Sequence, residues 1–276
     1  MKEDLFKPVF LKLNRSQFHI NDVSSILKNS WDENKIKFNT KIAEDKLGYE
    51  IYTNDFSNDN FLEELGIRIG EIAHNLRSAL DNLIFSTARS VCDPPLKPNK
   101  LYFPIFENEK EFHDKTKDIF NQIPEQVREF IISVQPFTKK KNIENFKSEF
   151  YLLSILHWLN NTDKHRTPKV LLAILDEIEF KGSFEFDNED FSNVINEKEG
   201  FFNFFPIIPN SKIFEFRTTE KIENMNMDFG LKIEVALEIF ETKAKIDTLQ
   251  ILQNNIFALV LEYLKKINIT FEIEKI

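Results

Sequence analysis

Apolar residues recur with a helical period along much of this chain, most clearly between residues 60 and 91. On a helical wheel, Leu62, Leu65, Ile69, Ile72, Leu76, Leu80 and Leu83 form one apolar stripe, while Glu64, Arg68, Glu71, Asn75, Asn82 and Arg89 form a stripe suited to solvent. A third stripe holds Gly66, Gly70, His74, Arg77, Asp81, Ile84, Phe85 and Ala88. It is too apolar and too rich in small residues to be simply solvated. Glycine costs about 1 kcal/mol in a helix interior relative to alanine, so Gly66 and Gly70 predict close approach by another backbone. The helix is expected to be central and packed on two sides, with His74, Arg77 and Asp81 on its second packed face.

A first helix is predicted over residues 16–31, from Phe18, Ile20, Val23, Ile26 and Leu27. Residues 35–53 alternate around a turn at 44–48 and predict a β-hairpin. Cys92-Asp93-Pro94-Pro95 ends the central helix, and residues 93–110 should be mainly extended. A short helix over 124–133 precedes a break at Gln135-Pro136-Phe137 and an exposed basic run at 139–141. A further helix over 144–163 has Phe146, Phe150, Leu153, Leu156 and Leu159 inside and is bounded by Pro168. The period then shortens to that of strands at 170–180, 183–186, 213–217 and 231–239, before a long helix over 242–266.

The pattern predicts an α+β fold, mainly a helical bundle, with a β-hairpin and a small antiparallel sheet inserted before the C-terminal helix. One domain is expected over 1–276. Its helical part is 1–168 with the hairpin at 35–53, its β-rich insertion 169–240, and 241–267 a helix returning to the bundle.

Composition narrows the function classes. With 42% hydrophobic residues and 29 phenylalanines among 276 residues, the chain can bury a large Phe-rich core. A formal charge of −9 lacks the electrostatic footprint of a duplex DNA binder, so no duplex DNA partner is expected. Cys92 is the sole cysteine, which rules out an internal disulfide or a cysteine-based zinc site within one chain and fits a reducing cytoplasm. The N-terminal residues lack the pattern of a signal peptide, and no run of about 18 apolar residues occurs. The expectation is a cytoplasmic protein with no membrane partner.

Two polar clusters carry the candidate chemistry. Asn161-Thr162-Asp163-Lys164-His165-Arg166 closes one helix, and His74, Arg77 and Asp81 share a face of another. His157, Asn161, Lys164 and His165 fall on roughly one helical face. Bringing these faces together places imidazole, guanidinium and carboxylate in one cleft, a combination suited to phosphodiester chemistry. The same residues also suit a structural network, through an Arg77 to Asp163 or Asp81 to Arg166 bridge, with Lys164 and Arg166 complementing a helix dipole. They suit small-anion or partner binding as well. His74, Asp81, Asp163 and His165 are a conceivable ligand set for a metal-dependent hydrolase. His19, four positions after Arg15, and His113 read as surface residues. No phosphate loop, H-E-x-x-H or G-x-S-x-G occurs.

The segments at 74–81, 103–105, 135–137 and 161–166 resemble an uncharacterised bacterial family that combines H-N-L-R-S-A-L-D, F-P-I, Q-P-aromatic and N-x-D-K-H-R segments. The helical pattern with Arg and His in polar clusters is distantly similar to the HEPN superfamily. That resemblance implies a HEPN-like bundle, often a homodimer, and metal-independent cleavage of RNA in toxin or antiphage defence systems. Its R-x4-6-H motif is not matched in full, since Asn82 stands five positions after Arg77. The resemblance therefore implies His165, or His74, as the imidazole. In this reading His165 is the acid or base, Arg77 and Arg166 bind phosphate, and Asn161, Asp163 and Asp81 orient them beside Lys164. RNA is the expected substrate, and no cofactor or metal is required.

Overall fold

The computed structural model describes residues 3–32, 37–55, 60–138, 151–186, 189–219, 221–240 and 242–269. The fold is α+β. The chain divides into two compact units, one of Met1–Ser24, Gly66–Pro168 and Asp247–Ile276, the other of Ser25–Leu65 and Lys169–Ile246.

The first unit is helical. Helix α1 (Lys7–Asp32) starts well before the expected residue 16, because Val9, Phe10 and Leu13 are also buried. Pro8 lies in its first turn, where a missing N–H breaks no helical bond. The chain next enters the first unit in helix α2 (Phe61–Val91), whose bounds match the sequence pattern. Its Ile69, Ile72, Leu76, Leu80 and Leu83 are fully buried, as are Ala73, Ala79 and Ile84 around the circumference.

The middle of the α2 stripe expected to face solvent, at Arg68, Glu71 and Asn75, instead faces α1, while Glu64 is exposed. Asn75 is buried and takes a 3.4 Å hydrogen bond from Lys12 Nζ, while Arg68 Nε lies 3.8 Å from Asp22 Oδ2. Polar residues were sorted to the surface by the wheel, yet they meet polar partners across a helix interface. His19, read as a surface residue, is 2% exposed there, with Nδ1 3.2 Å from Glu71 Oε2.

Helix α3 (Glu109–Phe120) is a helix where extended or charged surface chain was expected. Its signals are short: Asn108 caps it by accepting from the Glu111 N–H, and only Phe112, Thr116 and Ile119 are buried. Phe112 is the hub of an aromatic cluster with Phe106, Phe120 and Phe137 at centroid distances of 6.0, 5.6 and 5.2 Å. Helix α4 (Glu125–Ser133) lies as expected, and α5 (Tyr151–Asp163) covers the described part of the helix expected over 144–163. The earlier residues of that prediction and the basic run 139–141 lie outside the described residues.

Helix α6 (Thr248–Lys266) begins later than the expected residue 242. It docks on α1 through Gln253, whose Nε2 donates to Leu13 O at 3.1 Å, and on α2 through Tyr263, whose hydroxyl donates to Thr87 Oγ1 at 2.9 Å. Burial pushes the Tyr263 pKa up, partly opposed by that hydrogen bond.

The second unit holds two antiparallel sheets. Strands β1 (Phe38–Ile42) and β2 (Gly48–Thr53) form the expected hairpin, but β2 also pairs with β5 (Lys212–Arg217), so the hairpin belongs with the inserted strands. Its turn carries Lys46 at φ 60°. The other sheet has the order β4-β3-β6-β7, from β3 (Val170–Phe186), β4 (Glu189–Pro206), β6 (Ile222–Ile239) and β7 (Thr242–Lys245). The two short runs at 170–180 and 183–186 are one strand. Most of β4 was expected to be loop from its acidic and Asn-rich sequence, and β7 was expected to open the last helix.

Candidate functional site

The two glycines of α2 make a groove for the C-terminal end of α5. A Cβ at position 66 would lie 2.7 Å from both Pro168 O and Thr167 Cγ2. One at position 70 would lie 2.5 Å from Asp163 Cγ, well inside van der Waals contact. The close approach expected at these glycines is thus backbone at Gly66 and a carboxylate at Gly70. Burial raises the Asp163 pKa and Glu71 adds to the rise, while nearby His74 opposes it. His74 itself is exposed, and its Nε2 is 3.5 Å from Ser78 Oγ.

One turn further along α2, Arg77 and Asp81 hold an irregular segment in place. Arg77 Nη2 donates to Phe103 O at 2.6 Å and lies 3.2 Å from Asp81 Oδ1. The same Asp81 oxygen accepts from the Phe103 N–H at 2.9 Å. Both polar groups of one buried peptide residue are therefore satisfied by a pair of side chains from α2. Buried Gln135 continues the pattern, donating to Pro104 O at 2.8 Å and Ile131 O at 3.1 Å while accepting from the Phe106 N–H at 3.0 Å. Three separated sequence segments, 74–81, 103–106 and 135–137, thereby form one hydrogen-bonded lattice.

His157 lies on α5. Its side chain is exposed, and Asn161 Nδ2, one turn along the helix, lies 2.9 Å from its Nε2. Partial desolvation lowers the His157 pKa; Arg77 and Lys164 push it the same way and Glu107 raises it. Arg77 Nη1 is enclosed by protein and has no hydrogen-bond partner among the described residues.

The α5 terminus is closed by backbone bonds from the His165 and Arg166 N–H groups to Thr162 O, at 3.0 and 2.8 Å. Lys164, His165 and Arg166 are all exposed, and the His165 and Arg166 side chains bond no described residue. The structure therefore sets the Asp163 carboxylate against Gly70 and ties Arg77 to Asp81 and Phe103. It leaves His165 and Arg166 at the surface, and neither the Arg77–Asp163 nor the Asp81–Arg166 bridge forms, because Arg77 and Asp81 pair within α2. His157 was marked by its spacing to Asn161, and that contact forms. Among the described residues, no three His, Cys, Asp or Glu side chains converge as metal ligands, so His74, Asp81, Asp163 and His165 do not form one donor set.

No known protein family matches the chain, and neither a curated protein nor a solved structure shows a significant match. Among the described residues, no helix is long and apolar enough to cross a membrane.

Proposed function

We propose that this chain is a metal-independent, HEPN-like endoribonuclease in which His157, rather than His165, is the general base. The observation that carries this reading is an exposed imidazole whose Nε2 lies 2.9 Å from Asn161 Nδ2 and whose pKa is lowered, chiefly by desolvation, on a helix followed directly by exposed Lys164, His165 and Arg166. RNA suits such a site because its own 2′-hydroxyl is the nucleophile and needs only a base to activate it. A toxin or antiphage system is the setting that the resemblance implies.

The chemistry balances without a cofactor. Neutral His157 takes the 2′-hydroxyl proton, the 2′-oxygen attacks phosphorus, and the bond from phosphorus to the 5′-oxygen breaks. The products are a 2′,3′-cyclic phosphate and a 5′-hydroxyl, the latter protonated by the imidazolium or by water. A half-turn of the Asn161 amide lets its oxygen accept from Nε2–H and leaves Nδ1 as the base. Lys164 and Arg166, whose charges face water, are the cations placed to attract the phosphate backbone. His165 lies eight residues beyond His157, past the end of α5, and its side chain faces water.

The test incubates purified protein with total cellular RNA and tRNA in EDTA. Wild type and His165→Ala should cleave, and His157→Ala should lose cleavage by at least about 100-fold, the usual scale of general-base catalysis. Equal cleavage by folded His157→Ala overturns the assignment. Absence of cleavage by folded wild type overturns the ribonuclease reading and favours an anion-binding module built on the same cations.

A further inference from the structure

Independently of the ribonuclease reading, we infer that a small cavity between α4, α5 and α6 binds an organic ammonium ion with a body the size of one ring, its charge held by Glu262. The cavity measures about 150 Å³ and lies wholly within the helical unit. Phe130 of α4, Leu153 of α5 and Ile256 of α6 line it and are buried, so its inner wall is apolar and closed to water. Leu259 and the exposed Ala258 of α6 also line it, which opens the cavity to solvent along α6. An apolar cavity of about 150 Å³ takes one benzene-sized group, whereas drug-sized ligands need at least about 300 Å³. The volume therefore sets the size of the occupant.

The polar lining sets its head group. Asn255 and Glu262 are the polar residues of the cavity, seven positions apart on α6 with Leu259 between them. The Asn255 side-chain nitrogen donates to Ile251 O at 2.8 Å, so the amide oxygen is what Asn255 has to offer a ligand. Glu262 is exposed and forms neither an ion pair nor a hydrogen bond with the rest of the chain. Lys265 and Lys266, three and four positions on, are exposed and do not pair with it. The side chains of the lining thus present acceptors and one unpaired negative charge, and a complementary ligand supplies N–H donors and a positive charge. An ammonium at Glu262 gains charge-assisted hydrogen bonds, and the apolar walls beside the pair keep out water that would screen it. Phosphates and carboxylates meet like charge there and find no side-chain donor.

The test titrates benzylamine, charged at pH 7, into the full chain without RNA, and compares benzyl alcohol, which has the same ring and no charge. Binding is followed by NMR. Wild type should bind one benzylamine per chain and hold benzyl alcohol at least about tenfold more weakly, the scale of one hydrogen bond to a charged group. Glu262→Gln, a change at an exposed position, should lose about tenfold in benzylamine affinity and leave benzyl alcohol within about twofold. Ala258→Phe adds a ring at an exposed helical position that lines the cavity, and should abolish binding of both probes while circular dichroism stays that of wild type.

The inference is overturned by any of three results: no saturable benzylamine binding by folded wild type at millimolar concentration, equal affinity for amine and alcohol, or unchanged binding in Glu262→Gln. Sedimentation tests the competing occupant. A wild-type dimer that Ala258→Phe splits into monomers assigns this face to a second copy of the chain and likewise overturns the small-cation site. Because no RNA is present, a chain that binds benzylamine and cleaves no RNA sinks the ribonuclease and leaves this site standing.

Discussion

At the scale of single residues, Gly70 and Asp163 are the most tightly coupled pair in the candidate region. Gly70→Ala forces a methyl group into the Asp163 carboxylate and should destabilise the protein by roughly 1–3 kcal/mol, the usual range for overpacking. Asp163→Ala in the same chain makes room and should recover most of that loss, which a double-mutant cycle in urea measures. Protonation separates Asp163 and His157 by sign. The folded-state pKa of Asp163 is raised, so its contribution to stability is fully present below the unfolded value of about 3.8 and is lost as pH rises through the folded value. The folded-state pKa of His157 is lowered, so its contribution is present above about 6.5 and is lost as pH falls below that value. Relative to wild type, Asp163→Asn should therefore gain stability as pH rises from 3.8. His157→Gln should gain as pH falls below 6.5, and denaturant midpoints across pH report both.

At the scale of elements, the segment 101–106 has no regular secondary structure and is held by side chains of its neighbours. Gln135 supplies two of those bonds, to Pro104 O and from the Phe106 N–H, from a fully buried position. Gln135→Ala leaves buried peptide groups unpaired and should cost roughly 2–4 kcal/mol in chemical denaturation, since each orphaned group costs about 1–3 kcal/mol. Long periodic helices such as α2 were legible in sequence, because more than eight turns of alternating faces average out local exceptions. The α3 helix was not, because three buried positions among charged neighbours give little periodicity and its Asn108 cap was the stronger signal. Strand β4 was hidden for a different reason. Its backbone is satisfied by pairing with β3, the strand just before it, a pairing that the composition of β4 does not announce.

At the scale of the whole molecule, a net charge of −9 requires that any RNA contact be local. With Lys164 and Arg166 as the phosphate contacts, the slope of log affinity against log salt should be shallow. Replacing both with alanine should reduce its magnitude by about 1.4, near 0.7 for each lost contact to a single strand. A reduction well below that measured by titration at several salt concentrations would remove these two cations from the interface. The sequence by itself determined the α+β class, the central helix with its glycine groove, the hairpin, and the two polar segments that carry the candidate chemistry. Those features rest on local period and residue type, which a chain displays before it folds. Only the tertiary structure decided that β2 pairs with β5, that polar residues of α2 meet α1, and that Arg77 and Asp81 hold Phe103 while His165 stands at the surface. Each of these depends on which distant backbone approaches which face, and residues far apart in sequence become neighbours only when their elements pack.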